Sequence, residues 1–181
     1  MMQQKESVLM NRNVVEFVTV AAEFCAFLEQ AEQRSRKDFV NVALKILPLL
    51  YIKASLLDPM DTEDADDLET IVSEDDYNVV RITLAGILGE QDDYLDVFVE
   101  DMKYSDRPVL KTISEDLADI YQDVRNFVGI FKMGLETTMH DSLALVQQNF
   151  EHYWGQTLVN TMRALHDVRY NQHTDNEDTQ E

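Results

Sequence analysis

Glu115, Asp119 and Asp123 recur at steps of four. On a helix that spacing lays three carboxylates along one face, near enough to share a cation. Mg²⁺ binds through one or two carboxylates plus substrate phosphates, so the chemistry implied is hydrolysis of a nucleotide or phosphoester, with Mg²⁺ or Mn²⁺ as the metal. The competing reading is structural. These acids lie opposite an apolar stripe, where charge belongs, and Glu115 and Asp116 also suit the positive end of a helix beginning near Thr112.

Other candidates are thinner. Glu136 and His140 stand at i, i+4, and His152 and His166 lie 14 residues apart, nearly four turns of a regular helix. The chain has no His-x-x-x-His, and no Glu-x-x-His of the di-iron bundles. Cys25, the single cysteine, sits in an apolar helical pattern beside Phe24 and Phe27, as a small buried hydrophobe would. The run Phe150 to Gly155 gathers His152, Tyr153 and Trp154, a candidate interaction surface or a piece of core. An EF-hand reading of the acids after Asp61 fails, because Asp66 stands where the loop needs glycine. No G-x-S-x-G, glycine-rich phosphate loop or other cofactor signature occurs, so no cofactor is implied.

Charge is the unusual bulk property. The net is -20, and residues 61–101 contribute 15 acids against the one base Arg81. Such a surface repels phosphate backbones and anionic lipid, excluding nucleic acid and membrane as simple electrostatic partners. It would attract basic partners, or mimic DNA if its acids were spaced like phosphates. The N-terminus lacks the apolar core of a signal peptide, and no run reaches the roughly 18–20 apolar residues of a membrane span, which implies a cytoplasmic protein.

The elements that must position these residues read as helices. Asn13 is a candidate N-cap for a stripe through Val14, Val18, Ala21, Cys25 and Leu28. A second helix runs over about 37–57, with Pro48 expected to kink or split it. Residues 58–68 read as an acidic loop, and 65–72 as a short helix. Ser73 with Asp76 opens another helix, which Gly89 ends. Asp92 and Asp93 then suit the start of a short helix carrying Tyr94, Leu95, Phe98 and Val99. Residues 105–108 form a break. A capping box of Thr112 and Glu115 precedes a helix ending at Gly134, and a long final helix over about 136–170 bends near Gly155. With no period-two stretch, the expectation is an all-α antiparallel bundle of five to seven helices with a long C-terminal helix. It divides into a flexible N-terminus (1–12), one domain (13–170) and a disordered tail (171–181).

The segments SEDLADIYQDVRNFV (114–128), YWGQTL (153–158), RALHD (163–167), EDDYNVVR (74–81) and YLDVFVEDMKYSD (94–106) resemble a bacterial all-helical family, the domain of unknown function 5063. The resemblance covers most of the chain from Val14 to Asp167. It implies the helical fold and a cytoplasmic setting, and it brings no catalytic residue or cofactor. The reading that follows is a non-enzymatic module that binds another protein or itself as a homodimer. A metal-dependent hydrolase and an acidic DNA mimic are the alternatives.

Overall fold

The computed structural model describes residues 8–60, 68–96 and 108–171. Among them are six α-helices: α1 (Arg12–Glu29), α2 (Arg36–Ser55), α3 (Glu74–Leu88), α4 (Ile113–Met133), α5 (Glu136–Asn149) and α6 (Gly155–Tyr170). A π turn, Phe150–Trp154, joins α5 to α6, making one long C-terminal helix. Two four-residue strands, β1 (Asp93–Asp96) and β2 (Val109–Thr112), pair antiparallel, with Asp93 opposite Thr112 and Asp96 opposite Val109. The architecture is the expected helical bundle with a small hairpin added.

α4 is the central element, packed against α1, α3, α5 and α6. Its inner stripe, Leu117, Ile120, Val124 and Phe127, meets Phe17 of α1, whose ring centroid lies 5.3 Å from that of Phe127. Phe27 and Phe39 stack at 5.1 Å where α1 meets α2. Trp154, Phe17, Phe24, Phe39 and Leu84 are wholly buried. Burying one such side chain stabilises the fold by about 1.5–3 kcal/mol before entropy is counted, so this aromatic seam is a main source of cohesion.

Several local signals act as read. Ser73 and Asp76 close a reciprocal capping box on α3, and Gly89 (φ 58°) and Gly134 (φ 74°) end α3 and α4 with positive φ. Others are corrected. The N-cap of α1 is Asn11, whose side chain accepts from the Asn13 N–H; the Asn13 amide instead donates to the Leu56 carbonyl at 3.0 Å. α2 continues through Pro48 without a break. Proline there costs about 3 kcal/mol relative to alanine in an isolated helix, but Leu47 and Leu50 on either side are fully buried and hold the turn.

Residues 68–72 are not helical. The N–H groups of Ile71 and Val72 both donate to Asn126 Oδ1 at 2.8 Å, so this stretch is tied to α4. Ile71 packs against Gly129, where a Cβ would lie 2.8 Å from its side chain. The short helix expected after Asp92 is strand β1 over its described residues; Phe98 and Val99 lie outside them. Asp92 does serve a helix N-terminus, but that of α4: its carboxylate accepts from the Ser114 N–H at 2.8 Å and from the Ser114 hydroxyl at 2.6 Å. Thr112 caps α4 through the Glu115 N–H at 3.3 Å, supplying the forward half of the capping box.

Candidate functional site

Part of the polar face of α4 is turned toward other elements. Asp116, Asp119 and Asp123 follow each other at steps of three and four, and each meets a donor from another element. Asp119 accepts from the Tyr77 hydroxyl of α3 at 2.8 Å and from the Tyr153 hydroxyl of the π turn at 2.6 Å. Asp123 accepts from Asn149 Nδ2 at 3.0 Å. Asp116 is buried, accepts from the Tyr94 hydroxyl of β1, and has Lys111 Nζ of β2 at 3.7 Å. Lys111 also lies 3.4 Å from the buried Asp96, which accepts from Asn160 Nδ2 at 3.4 Å.

Electrostatics follow from this burial. Desolvation raises the carboxyls of Asp116 and Asp123 above the usual range, against the pull of Tyr94 and Lys111 on the first and Asn149 on the second. Burial, reinforced by the carboxylate each one faces, pushes the phenols of Tyr77, Tyr94 and Tyr153 upward. The hydroxyls are therefore donors at neutral pH. The cluster is a seam of phenol–carboxylate bonds joining α3, the hairpin, α4 and the C-terminal helix.

The proposed metal triplet does not assemble. Glu115 is exposed, while Asp119 and Asp123 serve different partners. Among the described residues, no group of three His, Cys, Asp or Glu is placed to hold a metal ion. The aromatic segment also divides. Trp154 is core, its Nε1 donating to the Val146 carbonyl at 3.0 Å. Tyr153 is half exposed above Asp119, and His152 is exposed with its Nδ1 2.8 Å from the Gln148 carbonyl oxygen. His166 packs on Tyr170, with ring centroids 4.7 Å apart. His140 Nδ1 lies 3.8 Å from Asp141 rather than meeting Glu136. Within the acid-rich stretch, Asp76, Asp92 and Asp96 are occupied by a cap, a helix start and Lys111. Residues 61–67 and 97–101 lie outside the described residues.

A second feature adjoins the seam. Antiparallel α2 and α6 leave a groove of about 1320 Å³ between them, with β1 as one wall. Leu44, Pro48, Tyr51 and Ile52 line it from α2; Val159, Met162, Arg163 and His166 line it from α6. Ile52 and Leu95 are half exposed at its mouth. The wall is fastened by Arg163, which donates to the Leu95 carbonyl at 2.7 Å, and by Tyr94, which reaches from the groove lining to Asp116. No short motif marks these positions. The detectable signal was the surplus of apolar residues on α2, where Tyr51 and Ile52 widen the stripe beyond what one core needs.

Fold and site thus define a helical bundle with a small hairpin, a partly buried phenol–carboxylate seam and an apolar surface groove. The chain belongs to the domain of unknown function 5063 family, whose model matches residues 8–171. It is similar in structure to a Bacteroides fragilis protein whose crystal structure was determined by a structural genomics consortium, at 54% identity and a TM-score of 0.82, covering 93% of this chain and 99% of that one. No curated protein matches the sequence. No helix among the described residues is long and apolar enough to cross a membrane.

Proposed function

We propose that the protein is a non-enzymatic interaction module of the bacterial cytoplasm that receives a segment of a partner protein in the groove between α2 and α6. One observation carries this reading: an open apolar groove of about 1320 Å³ on a chain otherwise rich in surface acid. Small-molecule sites usually measure about 300–1,000 Å³ and enclose their ligand, whereas this one is larger and flanked by exposed Ile52, Leu95, Val159 and Tyr170. Of the carboxylates that could have done hydrolytic work, Asp119 is bonded to two phenols and Asp123 to an amide.

The test is a photocrosslinking residue placed at Val159, with a second at Val79 on α3 as an exposed control. The expectation is a discrete adduct from Val159 in living cells that disappears when Ile52→Asp is added, and none from Val79. Equal labelling from both positions, or no adduct from Val159, would overturn the proposal.

A further inference from the structure

We draw no further inference here: the strongest candidate, the apolar groove between α2 and α6, belongs to the site already described, and nothing in the structure shows what covers it.

Discussion

Tyr77 and Asp119 are joined across α3 and α4 by a 2.8 Å hydrogen bond, and the other oxygen of the same carboxylate accepts from Tyr153 at 2.6 Å. One side chain therefore ties three elements. Truncating Asp119 to alanine strands two half-buried phenols, and should cost about 1–3 kcal/mol. Tyr77→Phe removes one donor and leaves a bonded carboxylate, at about 1 kcal/mol. Urea unfolding should rank the variants in that order. Equal stability of Asp119→Ala and wild type would show that the seam contributes nothing.

Burial raises the Asp123 carboxyl, and this has a definite sign. The native state holds that proton more tightly than the unfolded chain, whose carboxyl titrates near 3.9. Its stability contribution is full below that value and is lost as pH rises through the higher folded value. Asp123→Asn keeps an acceptor for Asn149 and removes the ionisation. The variant should match wild type near pH 3 and be relatively more stable at pH 7. Thermal melts across that range would show it, and a gap that is constant with pH would refute the assignment.

Gly155 and Gly86 should respond oppositely to alanine. A Cβ at Gly155 would lie 2.5 Å from the Phe150 carbonyl oxygen and 2.9 Å from its ring, so the π turn must distort. About 1–3 kcal/mol should be lost. At Gly86, inside α3, a Cβ meets nothing within 4 Å. There alanine should stabilise by about 0.5–1 kcal/mol through helix propensity alone. Chemical denaturation of the two variants decides both.

The Cys25 thiol is buried and pushed up to about 12, chiefly by desolvation, with Glu29 adding to it. Alkylation at pH 8 should be slow in the native protein and rapid in denaturant. Fast native labelling would mean that α1 opens at this site.

What could be read from the residues divides along physical lines. Helix faces were legible because periodicity averages over many residues: Val14, Ala21, Cys25 and Leu28, and Leu117 to Phe127 on α4's inner stripe, are buried as their spacing implies, with Val18 partly buried. Capping signals were legible where the bond is local, as at Ser73 and Asp76. The hairpin was not, since four residues per strand are too few for alternation to register, and Tyr94 pairs with Lys111 across 16 intervening residues. The carboxylate ridge on α4 was visible, but its partners were not. Tyr77, Tyr94 and Tyr153 come from three other elements, and nothing in their local spacing announces a shared destination. The groove was hidden for the same reason, being a gap between two helices rather than a property of either.

The contact between Asp92 and Ser114 also bears on the order in which the chain folds. The first turn of α4 is completed by a carboxylate that stands 22 residues earlier in sequence. Thr112 caps the Glu115 N–H locally, but the Ser114 N–H meets its partner only when the loop from Asp92 has closed. Closing that loop carries an entropic cost that these bonds offset. The Asp92–Ser114 bonds thus couple the amino end of α4 to the hairpin beside it.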